Sequence, residues 1–144
     1  MALYEKAAWK GRSAMETKPW GTETRWSALR NVNGKMLNIR EGHRTSLKYN
    51  KRKDEAFYVM SGKVKFYYAD EEWLHYQNVK MKSAILEKGE SMNVQSMCVY
   101  RIHAIEESLI IEIGDFQTGD DFVRIEDDYG RETSKRSLPN TFEE

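Results

Sequence analysis

Short stretches of alternating apolar and polar residues, separated by glycine or acidic turns, limit most strongly what this chain can fold into. Alternation with a period of two indicates strands that bury one face. Many short strands separated by turns are typical of an all-β sandwich or barrel. No long stretch has the period of a helix. The 144 residues are enough for one core, so we expect a single all-β domain.

Two glycine-containing dipeptides predict hairpins. Asn33-Gly34 favours φ > 0 at both turn positions, and therefore predicts a tight hairpin between segments 22–29 and 35–40. Ser61-Gly62 predicts a second hairpin, in which the apolar residues of one strand share a face. These residues are Val64, Phe66 and Tyr68.

The second half of the chain predicts the strands that close the barrel. Segment 70–78 is polar and unpatterned, which indicates a surface loop, and its Trp73 suggests a lid or an interface anchor. The run Leu109–Ile113 suits a strand that is buried on both faces. The expected strands are 80–86, 91–95, 98–104 and 108–113.

The charge balance gives no sign of a nucleic acid or membrane partner. The chain has 23 basic and 23 acidic residues, and no apolar stretch approaches the roughly 18 residues that span a bilayer. One cysteine, Cys98, excludes an internal disulfide and fits a reducing compartment. The first residues lack a basic stretch followed by an apolar run, so we expect a cytoplasmic protein.

Two glycine-anchored blocks resemble the motifs of the cupin superfamily. At the motif intervals, Gly42 leads to Lys48, Asn50, Glu55 and Gly62, and Gly89 leads to Gln95, Met97, Tyr100 and Ala104. The resemblance implies a double-stranded β-helix, a jelly-roll-like cupin barrel with short N- and C-terminal extensions. It also implies that such barrels commonly pair through their sheets, so we expect a homodimer.

A closer resemblance is to the cupin domain of type II mannose-6-phosphate isomerases, which is often fused to mannose-1-phosphate guanylyltransferase. Lys18-Pro19-Trp20-Gly21 resembles the family's entry motif, segment 46–50 replaces its S-L-Q-x-H, and segment 124–131 matches its R-x-E-D-x-Y-G-R ending. The resemblance runs over residues 18–131, the expected barrel domain. Residues 1–17 are then an N-terminal extension and 132–144 a flexible tail.

By position, the resemblance places Lys48, Asn50, Glu55 and Tyr100 where the family binds a divalent metal. Only Glu55 keeps the expected ligand type. A protonated lysine has no lone pair and a phenol ionises near pH 10, so this set lacks the neutral imidazoles that suit transition metals. We therefore expect no bound metal and no cofactor. The strand period and turn positions keep three histidines from replacing the missing ligands: His43, His75 and His103.

The same positions predict either a filled, inactive site or a pocket for an anion. Lys48, Glu55 and Tyr100 could satisfy one another. The cluster 51–53, which includes Arg52, would attract a phosphate if it faced the barrel mouth, but could equally be a solvated loop. The residues expected to bind the ligand are Lys48, Asn50, Arg52, Glu55, Tyr100, Arg40 and Arg101.

Three functions stay open at this point. The leading hypothesis is a metal-independent cupin related to mannose-6-phosphate isomerase that binds an anionic sugar, either a phosphosugar or a nucleotide sugar. The second is a sugar-phosphate isomerase or epimerase in which Glu55 or Tyr100 is the base and Lys48 the electrophile. The third is a structural or regulatory dimer whose barrel binds nothing.

Overall fold

The computed structural model describes residues 3–27, 29–115 and 121–134, and these contain eleven strands and one short helix. The helix is a 3-10 helix at Glu71–Leu74. No helix in these three ranges is long and apolar enough to cross a membrane. The strands are β1 Ala14–Lys18, β2 Gly21–Arg25, β3 Val32–Ile39, β4 Leu47–Asn50, β5 Glu55–Ser61, β6 Lys63–Tyr68, β7 Lys82–Glu87, β8 Ser91–Val94, β9 Tyr100–Ala104, β10 Ser108–Asp115 and β11 Phe122–Glu126.

Two antiparallel sheets form the barrel. The six-stranded sheet has the order β1-β2-β3-β10-β5-β8, and the five-stranded sheet has the order β11-β4-β9-β6-β7. Neighbouring strands are mostly far apart in the chain, as in a jelly roll. The predicted all-β, double-stranded β-helix is therefore confirmed. β1 lies within the predicted N-terminal extension, because the six-stranded sheet begins at Ala14. Most of the predicted tail, 135–144, lies outside the described residues.

The main core lies inside the barrel, where apolar side chains from both sheets meet. Three rings pack together in it: Phe57 and Phe66 have their centroids 5.3 Å apart, and Tyr100 lies 5.1 Å and 5.6 Å from them. Burying each large apolar side chain contributes about 1.5 to 3 kcal/mol. The buried core residues are Trp20, Leu37, Ile39, Phe57, Val59, Val64, Phe66, Leu86, Val94, Tyr100, Ile102, Ala104 and Ile110.

A second apolar cluster covers the outer face of the five-stranded sheet. The segment around the 3-10 helix packs Trp73 and Leu74 against Leu47, Tyr49 and Val99. Trp73 is only 8% exposed. The expectation of a lid or an interface anchor at Trp73 is therefore wrong: this segment covers a sheet face whose apolar side chains would otherwise meet water.

The dipeptide Asn33-Gly34 lies inside β3, so the turn predicted there is wrong. β2 and β3 do pair antiparallel, with Arg25 opposite Lys35, but the chain reverses before β3 begins. Gly34 allows a close approach instead of a turn, since a Cβ on it would lie 2.7 Å from the indole of Trp26. The glycine at position 34 is therefore explained by the Trp26 ring that packs against it inside the strand, and not by a turn.

The dipeptide Ser61-Gly62 does not close a hairpin either. β5 belongs to the six-stranded sheet and β6 to the five-stranded sheet, so Gly62 carries the chain from one sheet to the other. The shared face predicted for β6 is confirmed, because Val64 and Phe66 are fully buried and Tyr68 packs against the same core.

The strand β10 is not buried on both faces, contrary to the prediction. Ile110 and Glu112 are buried, whereas Ile113 is 47% exposed. The alternation of the strand therefore holds despite the apolar run. It places an acidic residue inside the barrel, where the functional site lies.

Replacing Gly62 by alanine should destabilise the protein more than the same change at Gly89. Both glycines have φ near 90°, a conformation that costs an L-residue about 1 to 2 kcal/mol. At Gly62 a Cβ would also lie 2.3 Å from Ser108 Oγ and 2.4 Å from the Glu107 carbonyl, whereas nothing lies within 4 Å at Gly89. Urea unfolding should show an additional loss of about 1 to 3 kcal/mol for Gly62→Ala. Equal losses would contradict the close packing at the crossing between the sheets.

Candidate functional site

A polar cavity of about 520 Å³ lies inside the barrel and borders the main core, whose Trp20, Leu37, Tyr100 and Ile102 contribute to its lining. Residues on the inner faces of both sheets line it. Its volume lies within the range of small-molecule sites. The lining side chains are Glu16, Lys18, Trp20, Glu23, Arg25, Asn33, Lys35, Leu37, Thr45, Ser46, Lys48, Asn50, Lys53, Tyr100, Ile102, Glu112, Asp121, Phe122, Arg124 and Arg131.

One row of side chains crosses the five-stranded sheet inside the cavity. Lys48 on β4 is directly opposite Tyr100 on β9 and directly opposite Arg124 on β11. Directly opposite residues in antiparallel strands point to the same face. The Lys48 ammonium lies 5.9 Å from the ring centroid of Tyr100 and 5.4 Å from that of Phe122. The Arg124 guanidinium lies 5.2 Å from the same Phe122 ring. The cations thus flank one ring.

The Glu55 carboxylate receives hydrogen bonds from three elements. Its Oε1 accepts from Asn50 Nδ2 at 2.8 Å and from the Tyr100 hydroxyl at 2.7 Å. Its Oε2 lies 3.1 Å from Lys53 Nζ. Gly114 is opposite Glu55 on β10, and a Cβ there would lie 3.3 Å from Glu55 Cγ. A glycine at this position therefore leaves room for the buried carboxylate.

Glu112 is a second buried carboxyl beside Glu55, and we call these two residues the carboxyl pair. Glu112 Oε2 accepts from Asn33 Nδ2 at 3.4 Å and lies 3.8 Å from Lys53 Nζ. The two carboxyls also share a hydrogen bond. Two carboxylates in one buried site cannot both ionise easily. One proton is therefore held between them.

The carboxyl pair divides into an ionised and a protonated member. Burial raises the pKa of Glu55, but the charges of Lys48 and Lys53 outweigh burial and lower that pKa to about 2. Burial and then the charge of Glu55 raise the pKa of Glu112 to about 7. Burial, followed by the charge of Glu55, raises the pKa of the Tyr100 phenol well above its ordinary value. Near neutral pH, Glu112 is thus the group that gains or loses a proton.

The donor set does not fit the divalent metal that the family resemblance implies. Lys48 and Tyr100 occupy two of the ligand positions, and the Lys53 ammonium already supplies positive charge at the carboxyl pair. A lysine ammonium donates three hydrogen bonds and cannot coordinate a metal. Within the described ranges, no group of three or more His, Cys, Asp or Glu side chains is arranged to hold one.

Most cations that line the cavity are neutralised by a nearby carboxylate. Lys18 pairs with Glu16, Lys35 Nζ lies 3.3 Å from Glu23, and Arg131 lies 2.8 Å from Asp127. Lys53 pairs with Glu55. Among the residues that the structure describes, no carboxylate lies within ion-pairing distance of three lining cations: Arg25, Lys48 and Arg124.

Lys48 and Arg124 differ from Arg25 in their position, and we call them the cation pair. Arg25 is exposed at the rim, whereas Lys48 and Arg124 are partly buried. The Nε atom of Arg124 is buried without a hydrogen-bond partner among the described residues. Two like charges directly opposite on neighbouring strands destabilise a sheet. The cation pair is therefore the part of the cavity wall that an anion would stabilise.

The structure brings together four of the seven residues that the sequence predicts for ligand binding. Lys48, Asn50 and Tyr100 line the cavity, and Glu55 is buried beside them, hydrogen-bonded to Asn50 and Tyr100. The agreement follows from the motif spacing, which places all four on the inner faces of β4, β5 and β9.

The other three predicted residues lie away from the cavity. Arg40 is exposed and donates to the Pro19 carbonyl at 2.8 Å. Arg52 is exposed and bonds to Asp121. Arg101 follows Tyr100 in β9, so the strand period turns it to the opposite face, where it donates to the Thr45 carbonyl at 3.0 Å. The prediction that Arg40, Arg52 and Arg101 bind a ligand in the barrel is therefore wrong, because none of them lines the cavity.

Sequence reasoning missed Glu112, Lys53 and Arg124 as site residues. Glu112 is the one acidic residue inside an apolar strand, and a buried position for it follows from the alternation of β10. Lys53 was grouped with a loop, although it lies two residues before Glu55. Arg124 begins the R-x-E-D-x-Y-G-R segment. The resemblance identified this segment but did not indicate which of its side chains face the cavity.

The remainder of that segment fastens the end of the chain to the barrel. Arg44 pairs with Asp128 through two hydrogen bonds of 2.6 Å and 2.9 Å. His43 Nδ1 lies 3.0 Å from the Tyr129 hydroxyl, so His43 has a structural contact outside the cavity. Bidentate Arg–Asp pairs fix geometry as well as charge. These contacts hold β11, and with it Arg124, against β4.

Solved structures similar to this chain settle its fold class. KdgF from Halomonas sp. superposes with a TM-score of 0.61 at 14% identity, over 76% of this chain and 90% of that one. CapF from Staphylococcus aureus, a capsular polysaccharide assembling protein, gives 0.64 at 15% identity, over 82% of this chain and 34% of CapF. Oxalate decarboxylase from Bacillus subtilis gives 0.64 at 12% identity, over 78% and 30%. All three are cupin-fold proteins.

This chain has the cupin fold. It spans about a third of the length of CapF and of oxalate decarboxylase. No family model and no curated protein matches this cupin barrel in sequence. The closer resemblance to mannose-6-phosphate isomerases stays a prediction.

Replacing Glu112 by glutamine should change how stability depends on pH. The pKa of Glu112 is raised to about 7 on folding, so this carboxyl contributes stability below pH 4.5 that is lost as the pH rises through 7. Glu112→Gln stays neutral and keeps hydrogen bonds. Relative to the wild type, its free energy of unfolding should therefore rise by up to about 3 kcal/mol between pH 4.5 and 8. If urea unfolding shows that the free energies of unfolding of the wild type and of Glu112→Gln change equally with pH over this range, the assignment is wrong.

Proposed function

We propose that this protein is a metal-independent cupin that binds an anionic sugar, either a phosphosugar or a nucleotide sugar, in its barrel. The anionic group binds between Lys48 and Arg124, and the sugar extends toward the carboxyl pair. The observation that carries the proposal is the cation pair: two directly opposite, partly buried cations without a carboxylate partner in the described chain.

Electrostatics supports an anion at this position. Lys48 and Arg124 are directly opposite on neighbouring strands, and a phosphate between the two groups would accept charge-assisted hydrogen bonds from both. The unpartnered Nε of Arg124 offers one donor, and Lys48 offers up to three. Other lining cations are less suited, because their carboxylates already satisfy them.

The rest of the cavity suits a polar ring that carries hydroxyl groups. Trp20, Tyr100 and Phe122 offer aromatic surface, while Asn33, Glu112 and other polar side chains offer hydrogen-bonding groups. A sugar ring needs both kinds of contact. The shared fold with CapF, which assembles capsular polysaccharide, is compatible with a sugar ligand.

Neutralising either member of the cation pair should weaken anion binding, because each change removes a charged donor to the anion. Calorimetric titration with mannose 6-phosphate, fructose 6-phosphate and GDP-mannose should show that Lys48→Met and Arg124→Gln each lower affinity by about 10- to 100-fold.

Two matched variants control for charge alone. Lys65 lies 5.2 Å from the Tyr67 ring outside the cavity, so Lys65→Met removes a lysine with a similar aromatic contact. Arg40→Gln removes an arginine outside the cavity. Neither should change affinity. If none of the three sugars binds to the wild type, the proposal is wrong and a structural or regulatory role takes its place. The homodimer expected for that role stays a prediction.

A sugar-phosphate isomerase or epimerase is the second candidate, and the carboxyl pair favours it. Proton transfer beside a carbonyl needs a group that titrates near neutral pH. Glu112 meets this requirement, whereas the lowered pKa of Glu55 and the raised pKa of Tyr100 make both poor bases. We therefore assign the acid–base role to Glu112 and leave Glu55 and Tyr100 to position it.

Solvent exchange tests this second candidate directly. In D₂O, an isomerase should incorporate deuterium next to the carbonyl of mannose 6-phosphate or fructose 6-phosphate, which proton NMR detects. Glu112→Gln should lower the rate by about 100-fold or more, because it removes the acid–base group. If the wild type binds these sugars but incorporates no deuterium, the protein is a binding protein and the isomerase or epimerase candidate is wrong.

A further inference from the structure

We propose that Lys48 forms an imine with the open-chain carbonyl group of the anionic ligand, so that the barrel holds its sugar covalently and reversibly. This inference rests on the proposed function, because the anion brings the carbonyl to the amine. The ligand class it specifies is narrower than an anionic sugar: an aldehyde or ketone that also carries a phosphate or a similar anionic group.

The position of Lys48 carries the inference. The side chain lines the cavity, with its ammonium between the rings of Tyr100 and Phe122. Within the described chain it has no hydrogen bond and no ion pair, only these ring contacts. A free amine that faces a cavity from an aromatic surface is the arrangement that nucleophilic lysines need. No hydrogen bond or ion pair of Lys48 has to be broken before it can react.

The other lysines of the cavity have carboxylate partners. Lys18, Lys35 and Lys53 each pair with a glutamate. Burial opposes the charge of Lys53, but Glu55 and Glu112 outweigh it and raise its pKa. For Lys48, burial has the largest effect and lowers the pKa of the amine. The charges of Glu55 and Glu112 oppose this lowering, and those of Lys35 and Lys53 add to it. Burial thus favours the neutral amine form of Lys48, whereas the carboxyl pair favours the charged form of Lys53.

The carboxyl pair supplies the proton transfers that imine formation requires. The neutral amine adds to the carbonyl carbon, a C–N bond forms, and the carbonyl oxygen takes a proton from the acid form of Glu112. The nitrogen then loses a proton to the Glu112 carboxylate, and that proton returns to the hydroxyl group, which leaves as water while the nitrogen lone pair forms the C=N bond. The protonated imine finally gives its remaining N–H proton to the Glu112 carboxylate, which restores the acid form. The net change is amine plus carbonyl to imine plus one water, so no oxidant or reductant is needed.

Pyridoxal 5′-phosphate is a suitable probe, because it combines an aldehyde with a phosphate. The wild-type protein is treated with a limiting amount of the probe and reduced with borohydride, and peptide masses then give the modified fraction of each lysine. We expect the adduct at Lys48 to form at least about 10-fold faster than at Lys65, because phosphate binding holds the aldehyde beside the amine. Lys48→Met should lose this adduct while Lys65 still reacts.

The labelling rates decide the inference. Labelling of Lys48 in the wild type no faster than that of Lys65 overturns it, whether or not any variant folds. Preferential labelling that inorganic phosphate slows supports it. Arg124→Gln should slow labelling by pyridoxal 5′-phosphate but not by pyridoxal, which lacks the phosphate. Equal rates with the two probes in the wild type would contradict the role of the anion.

The two proposals fail in distinguishable ways. If pyridoxal labels Lys48 preferentially but neither inorganic phosphate nor mannose 6-phosphate protects it, the reactive amine stands and the anionic-sugar function fails. If mannose 6-phosphate binds in the calorimeter and Lys48 is not labelled, the function stands and the imine fails.

Discussion

The polar half of the barrel depends on the Glu55 carboxylate, which joins the two sheets. Glu55 lies on β5 of the six-stranded sheet, and its Oε1 accepts hydrogen bonds from Asn50 and Tyr100 on the five-stranded sheet. A buried carboxylate is tolerated only when it is paired and hydrogen-bonded. Removing it would leave the amide and hydroxyl donors unsatisfied, so this one group fixes the distance between the sheets where apolar packing ends.

The charge of Glu55 determines the state of its neighbours. Because Glu55 stays ionised, Glu112 retains a proton near neutral pH, and Tyr100 stays a phenol that donates its hydrogen bond. Lys53 compensates the negative charge in place of a metal ion. Lys48 adds to this compensation through its charge, without a direct ion pair to Glu55. The cavity therefore separates a neutralised carboxyl region from a cationic wall, which suits a ligand with a hydroxyl-bearing end and an anionic end.

The sequence predicted the fold class and part of the site, because both depend on local spacing. The period of two identified most strands and their buried faces, and the glycine-anchored blocks located Lys48, Asn50, Glu55 and Tyr100. Which strands pair was not predictable, because Gly62 can close a hairpin or cross between sheets with the same φ. The sequence is equally unable to show which way the side chain of an arginine in a loop points.

Glu112 shows a different limit of sequence reasoning. A strand of leucine and isoleucine gives the same composition whether its apolar residues face the core or the outside. Here Ile113 faces out and Glu112 faces in. Only the pairing of β10 with β3 and β5, which places Glu112 opposite Lys35 and beside Glu55, makes an inward carboxyl stable. The decisive information is therefore long-range.

The position of β11 has a consequence for how the protein is built up along the chain. Every buried residue of the main core precedes β11, which lies at the edge of its sheet and pairs with β4 across more than half of the sequence. The main core can therefore assemble before Phe122 and Arg124 arrive. Folding then depends on one part of the sequence, and ligand recognition depends in part on another. The side chains of β11 can therefore change while the rest of the barrel stays the same.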